Sequence, residues 1–270
     1  MEPVPSEYVY QISDEEKCQK LKSHFHAFFS MYCNQKFEPV DGLQRYVSGA
    51  PSPFLNVIVG TPEKPSDACI EKQLGYFSDL ELPFVWYVDQ NSDAEFKAKL
   101  IEHGFQDIGV FRGVIGPLGK LDDPEIPEGC IIELVETEEA MEEFSELVCP
   151  TFGMEGKARE LYKKGLWALA NTKSRAMFHW VLRKEGKVVS AISTYIVGDL
   201  VSFWNGASVA DVRRQGLSTV LRKAALKHAA ARGCHFGASY LMSEGLAFGI
   251  CSKFGFETKW NFNAFLSPQK

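Results

Sequence analysis

The sequence predicts an α/β (α+β) fold made of two copies of one strand–helix pattern. Three observations predict it. Apolar runs of strand length alternate with amphipathic helical runs along the chain. The two halves echo each other: Gly104-Phe105 and Gly255-Phe256 each close a helix, Phe111 and Phe262 follow those glycines by seven residues, and Pro117 and Pro268 follow by thirteen. The stretch 200–232 then reads as a strand, a basic turn holding Arg213-Arg214-Gln215-Gly216, and an amphipathic helix.

Composition bounds the function classes. The 270 residues are 45% hydrophobic and 24% charged, which suits one large or two small globular domains. Net charge is −6, which argues against a nucleic-acid partner. The segment 213–232 is locally basic on that acidic background. Seven cysteines are scattered without a CxxC pair, so reduced thiols, a cytoplasmic setting and no metal site are expected. Met1 to Pro5 is neither basic nor apolar enough for a signal peptide. No apolar run approaches the roughly 20 residues that span a bilayer, so no membrane partner is expected.

In order, Tyr8–Ile12 suits a short strand, and Ser13 or Asp14 caps a helix to Cys33. His24 and His26 lie two apart on that helix and point apart, which disfavours a shared metal. Asp41–Ser48 is expected as another short helix, and 49–53 as a break. A strand at Phe54–Val59, a helix at Ser66–Phe77 and a buried strand at Pro83–Asp89 follow. Ser92 or Asp93 caps a helix to His103, Gly104 ends it, and Asp107–Ile115 is a strand. Residues 117–129, rich in proline, glycine and acid, mark a junction, giving an N-terminal domain over 1–120, a linker over 121–129 and a C-terminal domain over 130–270.

The second half opens with a strand at Cys130–Val135. Helices follow at Glu138–Val148, behind Thr137, and at Lys157–Asn171. Phe178–Leu182 and Lys187–Val197 make a hairpin. The strand 200–209 leads to the basic turn. The next helix places Leu217, Val220, Leu221, Ala224 and His228 on one face. A strand at His235–Leu241, a helix at Glu244–Lys253 and a strand at Glu257–Leu266 complete the chain. Tyr195, Trp204, His228 and His235 are expected as packing residues.

The turn before residue 217 has a chemical use. The first N–H groups of a helix lack intrahelical partners and carry the positive dipole end. Gly216 lets a ligand approach the backbone, and Arg213 and Arg214 add charge, so a diphosphate suits this turn. No Gly-Lys-Ser/Thr follows and no Gly-x-Gly-x-x-Gly is present, which removes the nucleotide P-loop and the dinucleotide fingerprint. The alternative is a plain strand-to-helix turn with solvated arginines.

The spacing Arg213-Arg214-Gln215-Gly216-Leu217-Ser218 resembles the Gln/Arg-x-x-Gly-x-Gly/Ala signature of the GNAT (GCN5-related) N-acetyltransferases, with Ser218 where that family prefers glycine or alanine. The preceding loop is about one residue short and lacks the family's proline. The resemblance is specific over 176–266 and architectural over 1–118. It implies a tandem GNAT fold, each half a mixed, mostly antiparallel twisted sheet flanked by helices. It also implies a splayed parallel strand pair for acetyl-CoA in the C-terminal half.

The N-terminal half is then a degenerate copy. Its turn, Gly60-Thr61-Pro62-Glu63-Lys64-Pro65, loses two donors to proline and adds a carboxylate. For the cofactor, the resemblance implies Ala207, Ser208, Val209, Arg213, Arg214, Gln215, Gly216, Leu217, Ser218, Thr219 and Ser243, with the Val209 N–H polarising the thioester carbonyl. The family's tyrosine acid falls at Cys251 and its asparagine at Glu244. Glu244 and Glu155 are the candidate bases, and Cys251 is a candidate acid or an inert core thiol. The expected activity is acyl transfer from acetyl-CoA to a primary amine on a small molecule or protein. The rival is a non-catalytic CoA-binding or protein-interaction module.

Overall fold

Helix starts follow local capping chemistry. The structure, a computed structural model, describes residues 11–33, 42–92, 94–172, 175–242 and 246–268. The strand expected at Tyr8–Ile12 lies mostly outside these residues. Helix α1 (Asp14–Cys33) opens on a reciprocal cap. The Ser13 amide donates to the Glu16 carboxylate at 2.7 Å and the Glu16 amide to the Ser13 hydroxyl at 3.1 Å. Helix α2 (Asp67–Asp79) starts where the Cys69 amide donates to the Ser66 hydroxyl at 3.3 Å. Helix α3 (Ala94–Glu102) stops before Gly104, whose φ of +84° suits glycine. Helix α4 (Glu138–Thr151) opens on the Thr137 hydroxyl, 3.1 Å from the Ala140 amide. Helices α5 (Gly156–Ala170), α6 (Leu217–Ala231) and α7 (Leu246–Lys253) complete the set among the described residues.

The strands are β1 (Gln44–Val47), β2 (Asn56–Val59), β3 (Val85–Asp89), β4 (Gln106–Pro117) and β5 (Cys130–Leu134) in the first part. Then come β6 (Met177–Lys184), β7 (Lys187–Val197), β8 (Leu200–Ser208), β9 (Phe236–Met242) and β10 (Glu257–Leu266). The helix expected at Asp41–Ser48 is corrected to the strand β1, paired antiparallel from Gln44↔Val59 to Val47↔Asn56. Four residues are too few to show a helical period, and the free edge of β2 supplies their backbone partners.

These strands form one mixed sheet in the order β1-β2-β3-β10-β4-β9-β8-β7-β6-β5. The final strands of the two halves are exchanged: β4 pairs with β9, and β10 pairs with β3. The sheet therefore runs unbroken through both halves. The strands β4 and β10 lie antiparallel with Phe111 directly opposite Phe262, ring centroids 5.8 Å apart. A side chain on Gly104 would touch Pro268, and one on Gly116 would come 2.7 Å from the Gly255 carbonyl. The residues that echo in sequence meet across a local twofold relation.

One face of the sheet carries α1, α4 and α5 over Phe25, Phe28, Phe144 and Phe262. The other face carries α6 and α7 over the C-terminal strands, and α2 and α3 over Ile58, Trp86 and Phe96. Helix α1 ties the halves together. Phe28 stacks on Trp204 at 3.5 Å, and the Tyr240 hydroxyl donates to the Leu21 carbonyl at 2.8 Å. Among the described residues no helix is long and apolar enough to cross a membrane.

Candidate functional site

The strand pair β8–β9 opens part-way along. The two are parallel and paired only from Leu200↔Phe236 to Phe203↔Ser239. Beyond Phe203, β8 bulges against β7, and Asn205 adopts φ +55°. Buried side chains hold the bulge. The Tyr162 hydroxyl donates to the Asn205 side-chain carbonyl. The Asn205 amide donates to Ser193 Oγ at 2.8 Å, and Ser193 meets His179 Nδ1 at 2.7 Å. In the N-terminal half the equivalent pair β2–β3 stays zipped. Gly60 N–H donates to the Tyr87 carbonyl at 2.9 Å, and Trp86 Nε1 closes onto the Gly60 carbonyl at 2.9 Å.

A cavity of about 560 Å³ lies at the opening, between the start of α6 and α7. Of the residues expected to hold a cofactor, Ala207, Ser208, Arg213, Arg214, Gly216, Leu217, Ser218 and Thr219 line it. Gly216 is the N-cap of α6 at φ +82°, and a Cβ built there meets nothing within 4 Å, so the approach to the helix start is open. Leu217 and Ser218 stand in the first helical turn, where amides have no intrahelical acceptor. Arg213 Nε donates to the Ser208 carbonyl at 3.2 Å, which holds one cation beside the strand edge. Lys253, from the last turn of α7, adds a further positive charge to the lining. A larger hollow of about 690 Å³ lies beside α2, lined by Leu74, Phe77, Glu81 and Pro268; it presents a carboxylate and no cation, so it does not suit a phosphate.

Other expected residues stand elsewhere. The Val209 N–H is not free for a thioester: it donates to the Val189 carbonyl at 3.0 Å. Alternation along the antiparallel ladder then turns the Ser208 backbone to the open edge, where its carbonyl already meets Arg213. Gln215 is exposed and turns its amide back to the Asp211 carbonyl at 2.9 Å, away from the lining. Ser243 and Glu244 lie outside the described residues. Glu155 is exposed as the N-cap of α5, four residues past Thr151, the α4 residue that reaches the cavity. Cys251, on α7, is 1% exposed and packs into the core that α7 shares with α6. Burial raises its thiol pKa against smaller opposing effects of Arg222 and a Ser239 hydrogen bond. It does not line the cavity.

The sequence reading missed Arg222. The buried face of α6 is Leu217, Leu221, Arg222, Ala225, Leu226 and Ala229, one residue round from the expected face. Val220, Ala224 and His228 sit at its margin. The signal was present: 222, 225, 226 and 229 continue a helical stripe, and the charge alone argued against counting its first member. His228 is held between Phe178 and Trp180, and its Nε2 accepts from Arg232 at 3.2 Å.

Residues 128–240 match the family model described as an acetyltransferase (GNAT) domain. No protein of curated function matches the chain in sequence. Solved structures are similar over nearly its whole length. A GCN5-related N-acetyltransferase from Kribbella flavida shows 15% identity and a TM-score of 0.66, over 93% of this chain and 96% of its own. A conserved protein of unknown function from Staphylococcus epidermidis shows 12% identity and a TM-score of 0.68, over 90% and 98%. A tandem GNAT protein from the clavulanic acid biosynthesis pathway shows 14% identity and a TM-score of 0.57, over 96% and 97%. Residues 128–240 are thus similar to a GNAT acetyltransferase domain, within a chain whose fold is similar to that of GNAT proteins, a tandem member among them.

Proposed function

We propose that the C-terminal half binds acyl-CoA, acetyl-CoA in the first instance, and transfers its acyl group to a primary amine in a ternary complex. The observation that carries this reading is the parting of β8 and β9 beside an open, basic helix start. A diphosphate would meet the first amides of α6, Arg213, Arg214 and Lys253. An extended arm would lie along the exposed edge of β8 at Ser208 and pair with it as a strand does. Residues 1–120 are then a copy without a cradle: its strand pair is closed by Gly60 and Trp86, and its turn carries two prolines.

The chemistry is a balanced exchange. The neutral amine's lone pair attacks the thioester carbonyl carbon, the C–N bond forms and the C–S bond breaks. The proton lost by nitrogen ends on the CoA sulfur. Glu244 and Glu155 remain the candidate bases. A CoA thiolate can leave into water, so the reaction does not depend on Cys251 as acid.

The buried state of Cys251 favours a second reading, a CoA-binding or protein-interaction module that has lost its acid. Incubation with acetyl-CoA and a panel of small amines and peptides, read as free CoA thiol, separates the two. Amine-dependent thiol release supports transfer. Tight CoA binding with no release across the panel supports the module. Absence of CoA binding overturns transfer and the CoA-binding form of the module, and leaves a protein-interaction module.

A further inference from the structure

The cavity wall holds a positive charge that no carboxylate among the described residues balances. Arg222 stands in the second turn of α6 and is 5% exposed, yet it lines the cavity. One terminal nitrogen donates to the Ser218 hydroxyl, and Nε has no partner. The guanidinium carbon lies 5.4 Å from the Phe203 ring centroid. Its Nη2 occupies the space left by the missing side chain of Gly206, where a Cβ would come 2.9 Å from it. Among the described residues no carboxylate forms an ion pair with it. Cys251 is the ionisable neighbour, and burial keeps that group a neutral thiol.

An arginine side chain stays protonated in proteins, and an unmatched buried charge costs several kcal/mol after relaxation. A ligand anion entering the cavity would offset that cost. A cofactor diphosphate is not that ligand. It belongs at the helix start, where Arg222 Nη1 is already held by Ser218, whereas Nη2 faces Gly206 at the bulge of β8. A second anion would complete the guanidinium, at the bulge where the strands part, the region where a thioester and its acceptor would meet. The planar fork of a guanidinium matches a carboxylate in bidentate fashion, with charge and geometry together.

We propose that Arg222 is a specificity residue for a substrate carboxylate, carried by the acyl chain of a dicarboxylic acyl thioester or by an amino-acid acceptor. Ser218 steadies the guanidinium from one side, and Gly206 leaves it room. This inference rests on the acyl-CoA reading of the same cavity.

The test pairs ligands that differ by the carboxylate. Calorimetry compares succinyl-CoA with butyryl-CoA, which have equal carbon counts. Thiol release from acetyl-CoA compares alanine with ethylamine as acceptors. Each arm is run on the wild type, Arg222→Met and Arg222→Lys, with thermal melting to confirm folding. The expected result is a tenfold or larger preference for the carboxylate-bearing ligand in one arm, lost in Arg222→Met and partly restored in Arg222→Lys. The arm in which it occurs identifies the source. CoA alone is titrated into all three proteins. If CoA binds and neither arm shows a preference, or the preference survives in Arg222→Met, the carboxylate assignment is overturned while the CoA site stands. If CoA does not bind the wild type, both fall.

Discussion

Replacing Gly216 with glutamate tests the basic helix start directly. Position 216 has φ +82°, and a non-glycine residue in the left-handed region costs about 1–2 kcal/mol. A Cβ there meets no atom within 4 Å, so alanine brings backbone strain and no clash. Glutamate brings the same strain plus one negative charge at the mouth of the cavity. At about 6 Å from a phosphate charge, that carboxylate is repelled by about 0.7 kcal/mol in water and about 3 kcal/mol at an effective dielectric of 20. The turn 213–216 is exposed, which places the net effect between these limits. CoA should therefore bind Gly216→Glu about five- to thirtyfold more weakly than Gly216→Ala, from about 1–2 kcal/mol of repulsion. Isothermal calorimetry at low salt reads the difference, and it should shrink as added salt screens the charges. Equal CoA affinity of the two variants at low salt would refute the placement of the diphosphate.

Three further outcomes are expected. Gly237 and Gly116 lie opposite each other on β9 and β4, and a Cβ on Gly237 would sit 2.2 Å from the tip of the Phe256 ring; Gly237→Ala should destabilise the fold by about 1–3 kcal/mol in urea unfolding, and an unchanged midpoint would contradict the packing. Burial holds the His179 imidazole down to about 4 from 6.5. Its folded pKa lies below the unfolded one, so its contribution is complete above pH 6.5 and is lost as pH falls towards 4, on the order of 3 kcal/mol in all. His24 and His26 shift the same way, each to about 4 by burial, so stability should drop between pH 6.5 and 4, with a shallower slope in His179→Gln; parallel slopes would contradict the assignment. Tyr162→Phe removes the hydroxyl that holds Asn205 at the bulge, and should cost about 0.5–1.5 kcal/mol of stability and weaken CoA binding; unchanged affinity would separate the bulge from the cofactor.

Much of the element map was legible because its signals are local. Ser13 and Thr137 announced helix starts by side chains that reach amides three residues on, and Ser66, at the head of the helix expected over 66–77, does the same. Glu185-Gly186, at φ +51° and +79°, turned the β6–β7 hairpin where the sequence broke between apolar runs. The basic turn also needed no tertiary information, since its residues are contiguous and lead directly into α6. The run at 44–47 was misjudged because only the waiting edge of β2 makes it a strand.

What the sequence determined by itself was the alternation of strands and helices, the doubling marked by Gly104 and Gly255, and the basic, glycine-capped start of α6. Tertiary structure alone decided that β4 and β10 change places, that Val209 spends its N–H on Val189, that Cys251 is closed into the core, and that Arg222 turns inward to the cavity. The physical reason is the range of the interactions. Caps and turns join residues three or four apart, whereas strand partners and the burial of a charge depend on segments brought together from across the chain.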